Sequence, residues 1–391
     1  MLNTSFSPWP SFSQEEAEAA SKVLLSNKVN YWTGNECREF EKEFAAWSGC
    51  AYAVALSNGT LALDIALKAL SVGDGDEVIT TPRTFLASAS SIVTSGASPV
   101  FADVDLNSQN ITADSIEAVL TEKTKAVIVV HLAGMPAEMD EIMALSEKYG
   151  FYVIEDCAQA HGAKYKGRSV GTIGHVGAWS FCQDKIMTTG GEGGMVTTND
   201  KSLWSKMWSF KDHGKSFDAI YNRQHPPGFR WLHESFGTNW RMTEMQGAIG
   251  RIQLTRMSDW TAKRQANAKA IDEAVSDLPI VRTVNVPDYI EHAEYKHYMF
   301  VKEDMLRVGW NRDRIVEEIV ARGVPAFQGS CSEVYLEKAF DNTPWRPSER
   351  LANAVELGGT SLMFLVHPTL TEAEISKMAQ VIRDVLTQAS N

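Results

Sequence analysis

The chain is expected to be an α/β protein: a mainly parallel sheet buried on both faces, followed by a smaller α+β part. Three observations carry this. Between residues 51 and 200, short runs rich in Val and Ile alternate with stretches of helical periodicity. The apolar runs are continuous rather than alternating with polar residues, as in strands covered by helices on both sides. After about residue 250 the texture changes to one long helical stretch and a mixed tail. In sheets of this kind, ligands bind beyond the carboxyl ends of the strands.

Taken in order, "AYAVALS" (51–57) reads as a strand and "GTLALDIALKAL" as the helix after it. "DEVITT" leads to the helical "FLASASSIVTSG", and "SPVFADV" is the next strand. "KAVIVVHL" (125–132) runs into the helical "AEMDEIMALSEKYG", then "FYVIEDC", "GAWSF" and "GMVTTN" close the series. "RIQLTRMSDWTAKRQANAKAIDEAVSDL" reads as one long helix leading out of the first domain, with further helices near 311–322 and 371–388. Residues 213–237 are rich in Gly, Pro, His and aromatics without periodicity, a long loop of the kind that serves as a lid or subunit contact.

Composition narrows the function. With 391 residues, two domains are expected. A formal net charge of −12 without any Lys/Arg run disfavours nucleic acid and anionic membranes as partners. The N-terminus lacks the basic start and apolar core of a secretion signal. No window approaches the roughly 18 apolar residues of a spanning helix. Five scattered cysteines without a CxxC pair fit reduced thiols in the cytosol, and nine histidines without HExxH give no reason to expect a metal site.

Chemistry concentrates in three places. In "WSFCQDKIMTTGGEGGMVTTND" (179–200), Lys185 precedes Gly190, Gly191, Gly193 and Gly194 around Glu192. In "VIEDCAQAHGA", Asp156, Gln159 and His161 follow an apolar strand; a solvated strand-end turn and a buried anion facing a cationic ligand are both open readings. In "LSNGTLALDIAL", Gly59 and Thr60 fall at a helix start, where free N–H groups favour phosphate, though a plain cap by Ser57, Asn58 or Thr60 is equally open. GxGxxG is absent, and "GKS" at 214–216 lacks the P-loop glycine, Ser209 standing in its place. An amine, a strand-end carboxylate and phosphate donors together suit pyridoxal 5′-phosphate (PLP). That cofactor needs a lysine for its aldehyde and a carboxylate to keep its pyridine nitrogen protonated. Ser180, five residues before Lys185, is a further phosphate donor.

These segments, with "YWTG" (31–34), "PRTFLASAS" (82–90), "GDGDEVI" and "GTNWRMTEMQGAIGRIQL" (237–254), resemble the DegT/DnrJ/EryC1/StrS family of PLP-dependent sugar aminotransferases over nearly the whole chain. The resemblance implies PLP-dependent transferase fold type I: a large domain (1–255, with an N-terminal arm) on a mainly parallel seven-stranded sheet, and a small α+β domain (256–391). It implies that Lys185 carries the cofactor and shuttles protons, Asp156 holds the pyridine nitrogen and Gln159 meets the ring hydroxyl. Gly59, Thr60 and Ser180 would hold the phosphate and Phe85 would cover one ring face. Asn239 would reach the phosphate from a partner subunit, making a homodimer with shared active sites. Tyr31, Arg83, His161 and Arg241 are candidate substrate contacts. The family's acidic residue usually follows the lysine by six positions; here Glu192 follows Lys185 by seven, so the loop must bulge.

The activity so implied is cytoplasmic transfer of an amino group from L-glutamate to a nucleotide-linked ketosugar, the cofactor cycling through pyridoxamine 5′-phosphate. The expected subtype is C4 amination of a UDP-linked 4-keto-6-deoxy-N-acetylhexosamine for bacterial surface polysaccharide such as lipopolysaccharide O-antigen, with C3 amination of a related sugar as the alternative. A sugar dehydratase of the same family would require histidine in place of Lys185. A non-catalytic PLP-binding regulator would show a DNA-binding segment or a missing site residue.

Overall fold

A computed structural model describes residues 6–225, 227–228 and 230–391. The chain's first nine strands are β1 (Tyr52–Leu56), β2 (Glu77–Thr80), β3 (Ser98–Phe101), β4 (Thr124–Val130), β5 (Tyr152–Asp156), β6 (Lys164–Tyr165), β7 (Arg168–Ser169), β8 (Val176–Ser180) and β9 (Gly194–Thr198). Seven of them form one sheet in the order β1-β9-β8-β5-β4-β2-β3. The neighbours β8, β5, β4, β2 and β3 pair in parallel, and β9 alone runs against both its neighbours. The expected mainly parallel seven-stranded sheet is therefore present.

Burial explains the apolar runs. Val127, Ile128 and Val129 of β4, with Val153 and Ile154 of β5, are fully buried, since helices cover both faces of the central strands. The reversal at β9 has a local cause. Phe181 N donates to Gly193 O at 2.8 Å and Thr189 N to Phe181 O at 3.2 Å, so the loop after Lys185 folds back as a hairpin. The consecutive glycines Gly190 (φ 86°) and Gly191 (φ 118°) take the left-handed backbone that the turn requires.

A 32-residue helix, Glu244–Val275, is capped by a box in which Thr243 and Gln246 satisfy each other's backbone N–H groups. The division expected at residue 255 falls inside it. Beyond lie β10 (Val281–Thr283), β11 (Ile290–Glu291), β12 (His297–Val301), β13 (Ala326–Phe327) and β14 (Ser361–Phe364). A second sheet runs β10-β12-β14-β13, all antiparallel, while β11 adds to the ribbon of β6 and β7. Helices Arg312–Ala321 and Glu372–Ala389 pack with this sheet around Met299, Leu362, Phe364, Ile315 and Ile382.

Two connections fix this second part against the first. Arg83, in the loop after β2, is fully buried and donates to Gln109 Oε1 (3.0 Å), Ser332 Oγ (2.8 Å) and Ser361 Oγ (3.2 Å). The N-terminal segment crosses in the other direction: Ser7 Oγ donates to Glu374 Oε2 (3.0 Å), and Trp9 Nε1 to the Lys185 carbonyl (2.8 Å). Among the described residues, no helix is long and apolar enough to cross a membrane.

Candidate active site

The carboxyl ends of β1, β4, β5 and β8 open into a cleft of about 750 Å³, within the range of small-molecule sites. Asp156, the last residue of β5, is buried in its wall. Its Oδ2 accepts from Ser88 Oγ at 2.9 Å and its Oδ1 from Ala158 N at 3.1 Å. Burial raises the Asp156 carboxyl above its ordinary value, opposed by those two donors and by the charge of Lys185. A cationic ring nitrogen beside it would favour the ionised form and be favoured in return.

Strand alternation decides which of the two acids serves the cleft. Glu155 faces the other way, accepting from His131 Nε2 (3.0 Å), Gly171 N (2.8 Å), Ile173 N (2.8 Å) and Gly174 N (2.7 Å). Burial alone would raise its carboxyl, yet these partners hold it below its ordinary value. It is a structural anion.

Lys185 follows β8 and lines the same cleft as Asp156. Its Nζ lies 3.9 Å from Asp184 Oδ1 and 5.1 Å from the centre of the Tyr295 ring. The glycines after it serve the hairpin; of that loop only Glu192 reaches the cleft.

Gly59 and Thr60 open the helix Gly59–Ala69, whose cap Asn58 accepts from Leu61 N (3.0 Å). The cap leaves the N–H groups at the helix start available to an anion. Ser180 lies against them: a Cβ on Gly59 would stand 2.4 Å from the Ser180 Cβ. Phe85 is 73% exposed although it lines the cleft, so its ring face is free for a flat ligand rather than packed in the core. Gln159 Oε1 accepts from Ala133 N (2.8 Å), which leaves its NH₂ for a ligand. An amine, a buried acid, a phosphate-ready helix start and an open aromatic face fit PLP. No other group is needed to account for them.

The four expected substrate contacts do not line this cleft. Tyr31 is buried, its hydroxyl donating to Glu41 Oε2 (3.0 Å) and accepting from Trp208 Nε1 (3.2 Å), with the Lys211 ammonium 3.9 Å from its ring centre. Arg83 is consumed by the link described above. Arg241 Nη1 donates to Asp212 Oδ1 at 2.7 Å. His161 is wedged between the rings of Trp179 and Phe181, and burial, with the charges of Lys185 and Arg264, lowers it to about 3, so it is neutral. Tyr31, Arg83 and Arg241 are thus engaged within their own chain, while both ring nitrogens of His161 are buried without a hydrogen-bond partner among the described residues. Asn239 is exposed and lies outside its own chain's cleft, and the described residues of 213–237 do not line that cleft either.

The opposite wall comes from residues without a sequence signal: Tyr295, Lys296, Gly329, Ser330 and Met363, from the second part of the chain. Tyr295 donates its hydroxyl to Asp184 Oδ2 at 2.5 Å. Only the aromatic-basic pair before β12 could have hinted at them.

A parallel sheet with a lysine and a carboxylate converging at its carboxyl edge defines a PLP-dependent transferase of fold type I. The comparisons narrow this: residues 10–383 match the DegT/DnrJ/EryC1/StrS aminotransferase family, and the chain belongs to that family of PLP-dependent enzymes. It is 64% identical to a solved aminotransferase from Psychrobacter cryohalolentis, at a TM-score of 0.98 over 99% of this chain and 100% of that one. It is 39% identical to GDP-perosamine synthase of Escherichia coli O157:H7 over 269 residues, 69% of this chain and 71% of that protein. It is also 34% identical to the spore coat polysaccharide biosynthesis protein SpsC of Bacillus subtilis, over 97% of this chain and 96% of the relative.

Proposed function

We propose that this aminotransferase moves an amino group from L-glutamate to the ketone of a nucleotide-linked sugar, in the cytoplasm and in the service of surface-polysaccharide synthesis. The observation that carries the reading is the convergence of Lys185 and Asp156 on one cleft that also contains a phosphate-ready helix start. Its similarity to GDP-perosamine synthase and SpsC favours a sugar acceptor. We take the acceptor to be a UDP-linked 4-keto-6-deoxy-N-acetylhexosamine aminated at C4.

When bound, PLP supplies an electron sink for carbanion charge next to the transferred nitrogen. The chain supplies the rest. Lys185 Nζ would tether the cofactor through its aldehyde and, once released, would serve as the acid and base that holds the transferred proton. Asp156, oriented by Ser88 and Ala158 N, keeps the ring nitrogen protonated. Gln159 NH₂ would meet the ring hydroxyl and Phe85 would exclude water from one face. The N–H groups of Gly59 and Thr60, with Ser180, would take the phosphate, and Asn239 of the partner subunit would complete that site in a homodimer.

The test is spectroscopic. Holoenzyme should absorb in the visible range, lose the band as Lys185→Ala, and lose it on addition of L-glutamate. The UDP-ketosugar should restore it. A band that persists in Lys185→Ala would remove the role of the lysine, and failure of the sugar step would remove the acceptor.

A further inference from the structure

Lys296 precedes β12 and lines the cleft across from Lys185. Both ammonium groups approach the same ring: Lys185 Nζ is 5.1 Å and Lys296 Nζ 4.7 Å from the centre of Tyr295. The two nitrogens are thus separated by no more than the sum of those distances. Their surroundings differ. Lys185 has Asp184 at 3.9 Å, whereas Lys296 has no carboxylate at ion-pair distance and no hydrogen-bond acceptor among the described residues; its ammonium faces the Tyr295 ring. A half-buried ammonium without an anion is costly. Its position against the reacting amine says which anion would relieve it.

We propose that Lys296 binds a carboxylate of the amino-acid donor and so sets donor specificity. The assignment rests on the glutamate-to-ketosugar reading above. It follows from bond counting: the α-carboxylate carbon of an amino acid is two bonds from the nitrogen that Lys185 exchanges, while the diphosphate of a nucleotide sugar lies beyond the hexose ring. A carboxylate can therefore meet Lys296 while its amine meets Lys185, and no other cation lines the described cleft. The environment also fits a site that is emptied on each turnover. Burial lowers Lys296 to about 8, with Asp184 opposing the fall and Arg264 and Lys185 adding to it, and a bound carboxylate would favour its charged form.

The experiment compares wild type, Lys296→Met and Lys296→Arg as PLP-loaded enzymes. Lys296→Met should raise the KM for L-glutamate by about ten- to a hundred-fold, the loss expected for one charge-assisted hydrogen bond. The KM for the UDP-ketosugar and the visible spectrum should be unchanged, and Lys296→Arg should recover most of the donor affinity. Calorimetric binding of glutarate, which carries both carboxylates but no amine, should weaken in parallel in Lys296→Met. A rise confined to the ketosugar KM would overturn the proposal in favour of the diphosphate, and unchanged constants for both would overturn it outright. Should L-glutamate leave the wild-type spectrum untouched, the donor reading fails, and glutarate binding still decides the role of Lys296.

Discussion

Gly59 and Ser180 meet so closely that any side chain on the glycine would collide with the serine: an added Cβ would lie 2.4 Å from Ser180 Cβ and 2.8 Å from its Oγ. The end of β1 and the end of β8 are thereby locked together at the point where free helix N–H groups face the cleft. Gly59→Ala should cost about 1–3 kcal/mol of stability through overpacking and weaken PLP binding. Chemical denaturation of the apoprotein and cofactor titration measure the two effects. A variant that holds PLP as tightly as wild type would remove the phosphate role of this corner.

Phe85 offers the converse case. Because its ring is 73% exposed, Phe85→Ala should leave apoprotein stability nearly unchanged. Cofactor affinity should fall by about 1 kcal/mol, the scale of one aromatic stacking contact. Equal losses in both would mean that the ring packs against protein rather than ligand.

Arg83 should behave as a structural residue. Arg83→Ala removes a buried guanidinium bonded to Gln109, Ser332 and Ser361; the two serine hydroxyls keep their bonds to the Ala354 and Gln328 carbonyls, but Gln109 Oε1 loses its donor. A stability loss on the order of 3 kcal/mol is expected. The KM values of the fraction that remains folded should not move. A selective rise in KM for the sugar, with stability retained, would restore Arg83 to the substrate site.

His297 gives stability a pH signature. It sits between Asp272 Oδ1 (3.0 Å) and Glu294 Oε2 (3.3 Å). Burial opposes its charge, but the two carboxylates prevail and raise it from 6.5 to about 10. A raised folded-state value means that its stabilising contribution is complete below pH 6.5 and is lost as pH rises through about 10. Denaturation curves of wild type and His297→Gln should therefore differ most below pH 6.5 and converge toward pH 10. A constant difference across that range would show that the ring stays neutral.

The parts of this protein legible in its sequence are those where chemistry and chain proximity coincide. Continuous apolar runs located the parallel strands, because helices on both faces bury the middle of β4 and β5 completely. Asp156, Ser180, Lys185 and Gly59 stand at or just after strand ends, so one rule about parallel sheets, joined to a family resemblance, put them in the cleft. Tyr31, Arg83, His161 and Arg241 lie outside the lining of their own chain's cleft. Their residue types suit ligand contact, but type does not say which way a side chain points. His161 is five positions from Asp156, yet the backbone turns it between Trp179 and Phe181.

By itself, then, the sequence determined the sheet, the cofactor chemistry and the lysine, because periodicity and local motif act over a few residues. Only the tertiary structure decided that Glu155 turns away from the cleft and is a structural anion held by His131 and three backbone N–H groups. Only it brought Tyr295 and Lys296 to the far wall. Both depend on packing between segments more than a hundred residues apart or on the face a side chain takes, and neither is set by neighbours along the chain.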